Sequence, residues 1–311
     1  MMGMADSRPV TVSRAGFWTM RRREAFYGIL FAAPAILGFI LFAFGPMLAS
    51  FFISFTNWSL LSKAHWVGLE NYRKLLTDDL IALSLKNTIE YSLMAIPSGL
   101  GASLFIALLL NHVRYGQRLF LSILYLPSIM PIVPVMMVWL WLLEPNFGLV
   151  NMALDKVGIA PLGWFSDPDM VLPSLVFMSL WGAGGGAVIF LASLRGIPQT
   201  LYDAAMVDGA GAWACFRSIM LPMLSPVIFF NLVMGLIGAL QTFAQSYLIG
   251  GGRYNSGLLY NLYLYQKAFS YGEMGYAAAM AWVLFVITMA LTALVFRSSS
   301  LWVFYEGLRQ E

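Results

Sequence analysis

The chain has 311 residues, of which 60% are hydrophobic and only 11% charged, and its mean hydropathy is +0.76. No soluble domain buries so large an apolar fraction, so the lipid bilayer must be the solvent for most of the chain. The formal net charge of +3 comes from Lys and Arg scattered among loops, which argues against nucleic acid as a partner, and the single cysteine, Cys215, excludes an internal disulfide.

The N-terminal segment, residues 1–25, ends in a basic cluster that precedes a long apolar stretch. Arg21, Arg22 and Arg23 stand directly before a run without charge from Ala25 to Ser62. A signal peptide has a shorter apolar region, followed closely by a cleavage site of small residues. We therefore interpret the run as a retained first membrane helix.

Six apolar windows are long enough to cross the hydrocarbon core, which takes about 20 residues. They are residues 27–55, 89–111, 119–143, 171–194, 219–247 and 276–296. The first and fifth exceed that length, which predicts tilting, kinking or projection beyond the membrane. Prolines inside or at the start of the windows predict kinks at Pro34, Pro46, Pro97, Pro131, Pro134 and Pro173.

An even number of spans places both termini on the same side of the membrane. Eleven of the 18 Lys and Arg lie on that side and seven on the other, and the cluster Arg21–Arg23 adjoins the first helix. By the positive-inside rule, the termini and the loop of residues 195–218 are cytoplasmic. The sequence thus predicts a multi-pass membrane domain over residues 26–298 and a cytoplasmic tail over residues 299–311.

The fourth window contains Trp181 and, directly after it, four glycines within five residues, Gly182 to Gly186. Each glycine weakens a helix by roughly 1 kcal/mol relative to alanine. The segment therefore predicts a local distortion, a very close helix crossing or space for a ligand. Trp181, Gly182 and Gly185 are candidates for the substrate path, with packing or lipid contact as the alternative for Trp181.

The loop between the fourth and fifth windows is a short charged interruption. Residues 201–210 carry two acids, Asp203 and Asp208, among alanines and glycines. Small residues let another protein approach the backbone closely, and Gly209 permits a turn between two short helices. We expect this loop to contact another protein in water.

This loop resembles the cytoplasmic coupling loop of ABC-importer permeases, whose pattern is Glu-Ala-Ala, three residues, Gly, nine residues and Ile-x-Leu-Pro. The matching residues, with two neighbours in the same loop, are the predicted ATPase-coupling site: Asp203, Ala204, Ala205, Asp208, Gly209, Ala210, Ile219, Leu221 and Pro222. Asp203 stands where the family usually has Glu, which shortens the side chain by one methylene group. The resemblance implies that Asp203 pairs with a basic residue of a separate ATPase subunit.

Other segments extend the resemblance to nearly the whole chain. Residues 55–58 (Phe-Thr-Asn-Trp) and 67–72 (Val-Gly-Leu-Glu-Asn-Tyr) resemble the first outer loop of sugar-type ABC permeases, and residues 244–252 and 271–279 resemble the region between the fifth and sixth helices. The match is closest to the carbohydrate-uptake permeases of the maltose and glycerol-phosphate type. It implies an all-α polytopic fold of six transmembrane helices, a bacterial inner-membrane location and a role as a transport subunit.

The same resemblance implies the partners and cofactors. They are a second homologous permease, two copies of a cytoplasmic ABC ATPase, an external solute-binding protein and a sugar-like solute. The chain has no Gly-x4-Gly-Lys-Ser/Thr motif, so it has no P-loop for ATP. We therefore expect no cofactor on this chain, with ATP and magnesium bound by the ATPase.

The fifth window carries a stripe of small and polar residues. Asn231, Gly235, Gly238, Thr242 and Gln245 recur at spacings of 4, 3, 4 and 3, which places them on one helical face. Such a stripe faces a protein interior or a water-filled path and not lipid. Close helix packing is an equal alternative for the two glycines. Asn231, Thr242, Gln245 and the adjacent Gln241 are predicted substrate-path residues, because amides and hydroxyls both donate to and accept from sugar hydroxyls.

Three other functions remain as alternatives. A self-sufficient secondary transporter predicts membrane-buried acids or inverted repeats, neither of which is evident. An intramembrane enzyme predicts a nucleophile–base pair within a span; no such pair or motif occurs. Within the ABC class, the solute can be glycerol phosphate or another non-sugar. No Lys or Arg lies within a window, which disfavours an anion from this subunit's side.

Overall fold

A computed structural model describes residues 20–59, 62–113 and 115–304. Within these ranges the chain is helical and has no β-strand beyond two isolated bridges, which confirms the all-α fold class. The predicted N-terminal segment before residue 20 and the predicted tail after residue 304 lie outside the described residues. The described residues up to Phe52 form one compact unit, and those from Ile53 onward form a second.

The helices that the structure describes fall into long apolar ones and short ones in the connections. In chain order they are α1 (Met20–Phe39), α2 (Gly45–Ile53), α3 (Glu70–Leu75), α4 (Asp79–His112), α5 (Gln117–Ile129), α6 (Ile132–Leu142), α7 (Leu149–Lys156), α8 (Pro168–Leu180), α9 (Gly184–Gly196), α10 (Gln199–Val207), α11 (Ala212–Cys215), α12 (Leu221–Leu240), α13 (Ala244–Leu248), α14 (Tyr260–Tyr265) and α15 (Met274–Trp302).

In the first unit, α1 continues through a π turn, Ile40–Phe44, into α2. The π turn ends two residues before Pro46, which has no N–H to offer the regular helical ladder. The N–H of Gly45 bonds to the carbonyl of Ile40. The helical stretch Arg23–Ile53 is 31 residues long and apolar enough to span a membrane, which confirms the first predicted window.

The third predicted window is not one straight helix. α5 and α6 meet at an angle of 99°, so residues 119–143 form a bent pair, which is either a broken span or a re-entrant loop. Met130 has an extended backbone, as expected for a residue before proline, and Pro131 lacks the N–H that would continue α5. The kink predicted at Pro131 is therefore confirmed, and the described residues contain five continuous helices long enough to span a membrane and one bent pair.

α4 lies at the centre of the second unit. It is 34 residues long, and α8, α9, α12 and α14 all pack against it. Two apolar clusters hold this arrangement. One surrounds Leu175 and Leu143, and the other surrounds Phe190 and Leu224. Burying such side chains stabilises the bundle by packing, since lipid and protein interior are similarly apolar.

The start of α4 is anchored to the last helix through Asp78. The carboxylate of Asp78 accepts hydrogen bonds of 2.8 Å from the hydroxyls of both Tyr263 and Tyr276, and it caps α4 through the N–H of Leu80. Partial burial raises the pKa of Asp78, but these hydrogen bonds outweigh burial and hold the pKa below its ordinary value of 3.8. The ionised carboxylate therefore ties three segments together.

Candidate functional site

Three walls of the second unit line an open cavity of about 350 Å³. α4 forms the first wall, the segment from α8 to α9 the second, and α12 with the residues after it the third. The polar residues of the lining are Tyr91, Ser103, Ser179, Asn231 and Thr242. None of the described residues that line the cavity carries a charge.

The cavity has two polar ends. At the first, the hydroxyl of Tyr91 lies beside those of Ser179 and Thr242. At the second, Ser103 Oγ donates to the carbonyl of Ala183 at 2.9 Å, close to Asn231. Ser103 lies twelve positions after Tyr91, which separates the two ends by about 18 Å along α4. We call these the Tyr91 end and the Ser103 end.

The glycine run of the fourth window lies close to two neighbouring helices, α5 and α4. A Cβ atom on Gly184 would lie 1.8 Å from the carbonyl oxygen of Leu124, so this glycine permits a very close crossing with α5. A Cβ on Gly186 would lie 2.6 Å from Ser103 Oγ, whereas a Cβ on Gly182 would meet nothing within 4 Å. The 3₁₀ turn Trp181–Ala183 also distorts the span. Close crossing and distortion, both predicted, are confirmed.

The stripe of the fifth window reaches the cavity only in part. Asn231, Gly235, Gly238 and Thr242 all line it. However, α12 ends at Leu240, so the single helical face predicted to reach residue 245 is wrong. Thr242 joins the lining from the irregular segment after the helix.

The remaining substrate-path candidates lie elsewhere. Gln245 lies on α13 and is not part of the lining, and Gln241 lines a separate groove between α12 and α15. Gly182 lines the cavity, but Gly185 faces Ser128 of α5 instead. Trp181 packs edge-on against the ring of Trp139, with ring centroids 5.9 Å apart, and is also absent from the lining. Among the described contacts, packing accounts for this tryptophan.

Sequence reasoning missed the α4 wall. Tyr91, Ala95, Gly99 and Ser103 recur every four residues and line the cavity along one face of α4. Tyr91 is 4% exposed although its hydroxyl borders the cavity. The four-residue spacing of small and hydroxylated side chains was the available signal for this wall.

The predicted coupling loop is a separate, exposed structure. α10 ends in a left-handed turn: Gly209 has a φ of +76°, the N–H of Ala210 bonds to the carbonyl of Ala205, and the N–H of Gly209 bonds to that of Met206. α11 follows after Gly211. The predicted turn between two short helices at Gly209 is therefore confirmed.

Acidic and apolar side chains are exposed together on this loop. Asp203, Ala204 and Asp208 are exposed, and Asp203 accepts a hydrogen bond of 3.3 Å from the side chain of Gln199. Val207 is 88% exposed and Trp213 is 71% exposed. Exposed apolar side chains beside exposed acids favour contact with another protein.

The Ile-x-Leu-Pro segment attaches the loop to the bundle. Ile219 packs against the buried cluster around Phe190 and Leu224. A π turn, Phe216–Met220, precedes Pro222, and the N–H of Leu221 bonds to the carbonyl of Phe216. The missing N–H of proline thus produces the same local geometry here as at Pro46.

Residues 99–301, more than half of the chain, match the family described as the binding-protein-dependent transport system inner membrane component. The chain belongs to this family. It is therefore the membrane-spanning permease subunit of an ATP-driven ABC importer in the inner membrane, and not an enzyme. The predicted family resemblance is confirmed.

Relatives agree over nearly the full length of this permease. It is 43% identical to the probable ABC transporter permease protein YesP of Bacillus subtilis, over 92% of this chain and 94% of YesP. It is 31% identical to the arabinooligosaccharides transport system permease protein AraP of Bacillus subtilis, over 89% and 91% of the two chains. A crystal structure of a bacterial ABC transporter that imports the acidic polysaccharide alginate is similar, with a TM-score of 0.78, 25% identity and coverage of 90% and 96%.

Proposed function

We propose that this permease conducts a sugar or sugar-like solute, delivered by an external binding protein, along a path that includes the cavity of Tyr91, Ser103, Ser179, Asn231 and Thr242. The observation that carries the proposal is the lining itself. The lining combines hydroxyl and amide groups with apolar surface, and none of its described residues is charged. Sugars offer the same combination of hydroxyl groups and apolar ring faces. The named solutes of AraP and of the alginate importer are both saccharides.

We propose further that the exposed loop, residues 195–218, docks on a separate ABC ATPase. Asp203 and Asp208 supply charge, Val207 and Trp213 supply apolar contact, and the left-handed turn at Gly209 lets the partner approach the backbone. ATP and magnesium then belong to that subunit. The full importer would contain two such ATPases, this permease and a second, homologous permease.

The proposed orientation places this loop and both termini in the cytoplasm. It rests on the excess of Lys and Arg on that side. Attachment of a membrane-impermeant thiol reagent to the native Cys215, which is partly exposed near the loop, tests it in intact and opened cells. Labelling of Cys215 only after the cells are opened agrees with the proposal, and labelling in intact cells contradicts it.

Reconstitution tests the function as a whole. The complete importer and its binding protein are placed in proteoliposomes, and uptake of radiolabelled arabinooligosaccharides and other saccharides is measured. Uptake should require ATP, the ATPase and the binding protein. Uptake driven by an ion gradient in their absence would establish a secondary transporter instead. Efficient competition by glycerol phosphate, without competition by any saccharide, would identify a non-sugar solute.

A further inference from the structure

Hydrogen-bond donors and acceptors are unevenly distributed over the cavity wall. Ser179 Oγ donates to the carbonyl of Val176 at 2.7 Å, and Thr242 Oγ1 donates to that of Gly238 at 3.2 Å. Ser103 Oγ likewise donates to Ala183 at 2.9 Å. A hydroxyl has a single hydrogen, so each of these three groups has only lone pairs left for the cavity.

Asn231 and Tyr91 supply the hydrogen-bond donors that these three hydroxyls no longer offer to the cavity. The side-chain nitrogen of Asn231 donates one hydrogen to the carbonyl of Val227 at 2.9 Å, which leaves its oxygen and one N–H. The hydroxyl of Tyr91 faces the oxygens of Ser179 and Thr242, both of which can accept its hydrogen. Acceptors therefore outnumber donors, and Tyr91 is the donor at its own end of the cavity.

We infer that Tyr91 is a specificity-determining residue, and that the cavity recognises a solute by the hydroxyl groups with which the solute donates. The inference rests on the proposed function and adds the chemistry of recognition. A solute hydroxyl that enters between Ser179 and Thr242 donates to their free lone pairs and accepts from Tyr91. A solute that fills this end of the cavity without such a donor displaces water from the two acceptor oxygens and leaves them without hydrogen bonds, so a solute without hydroxyl hydrogens is rejected.

The lining of the cavity also bears on the recognition of acidic groups on a solute. None of the described lining residues is cationic, so an acidic group on a solute finds no charged partner in this cavity. Recognition of such a group must then come from outside this cavity.

Site-directed labelling of the complete importer in nanodiscs tests the inference. Cys215 is replaced by serine, and Gly238→Cys provides the reporter, because a Cβ at Gly238 meets nothing within 4 Å. Ser270→Cys, an exposed position outside the lining, is the control. The rate of modification by a small methanethiosulfonate is measured in the resting and in the vanadate-trapped state. The probes are glucose, galactose, arabinose and rhamnose, each beside its fully O-methylated form.

At least one free sugar should slow modification of the Gly238→Cys reporter, its O-methylated form should not, and the Ser270→Cys control should be unaffected. Tyr91→Phe should raise the half-protective concentration about tenfold, the effect of one lost hydrogen bond. Equal protection by both forms of a sugar, no protection by any free sugar, or no modification in either state would overturn the inference.

ATP-driven uptake by the same importer is measured in parallel. If uptake is normal but one of the overturning results is found, the inference of hydroxyl recognition is wrong and the proposed function still stands. Absence of ATP-dependent uptake defeats the proposed function itself. Tyr91→Phe with unchanged protection but impaired assembly would assign Tyr91 a structural role and would also overturn the inference.

Discussion

Replacing Gly184 with alanine tests the close crossing between α9 and α5. The added Cβ would lie 1.8 Å from the carbonyl oxygen of Leu124, whereas ordinary contact begins at 3.4 Å. The obstacle is backbone, which cannot rotate away, so α9 and α5 must separate by about 1.6 Å, the difference between these distances. Overpacking of this kind costs about 1–3 kcal/mol or more.

Gly182→Ala is the matched control for this change, because it lies in the same segment and its Cβ meets nothing within 4 Å. At this position alanine should leave the stability of the complex unchanged or raise it by roughly 1 kcal/mol, which is the difference in helix propensity between alanine and glycine. Both variants are purified as complete importers, and the temperature at which half the complex is lost is measured by size-exclusion chromatography. Equal midpoints for Gly184→Ala and wild type would refute the crossing geometry.

Three further predictions concern the loop, the cavity and the anchor of α4. Asp203→Lys should prevent co-purification of the ATPase with the membrane-inserted permease, whereas the exposed Asp155→Lys should not; full co-purification with the first variant counts against docking. Thr242→Leu should lower uptake at least tenfold with assembly preserved, whereas Gln245→Leu should not; equal uptake by both would assign residue 242 to packing. Asp78→Asn should lower the thermal midpoint at pH 7. The depressed pKa of Asp78 stabilises the fold above pH 3.8, so the difference from wild type should narrow as the pH falls further below that value, and a constant difference would contradict the anchoring role.

Local sequence properties predicted the helices well. Apolar length identified all six windows, because the cost of placing polar backbone in lipid acts on each segment separately. Pro131 indicated a kink in the third window, but not its angle of 99°, which depends on what the two halves pack against. Gly209 likewise predicted a turn from its own conformational freedom.

The cavity was predictable only in part, because its walls come from distant segments. Periodicity placed Asn231 and Gly238 on the same face, but it assumed that α12 continues through residue 245. The irregular segment at Gln241–Phe243, where Phe243 has a φ of −132°, ends the helix first. Tyr91 was missed because α4 carries serines on several faces, and only the position of α9 shows which face is enclosed.

Each of the three cavity walls is interrupted between its two polar ends. On α4, Pro97 lies between Tyr91 and Ser103 and removes one helical hydrogen bond. The 3₁₀ turn Trp181–Ala183 separates Ser179 from Gly186 in the second wall, and the end of α12 separates Asn231 from Thr242 in the third.

These interruptions can act as joints, so the two polar ends of the cavity need not move together. Bending at these joints can withdraw the Tyr91 end while the Ser103 end stays packed, or the reverse. A bound solute would then be released toward one side of the membrane at a time, with no need for the whole bundle to open.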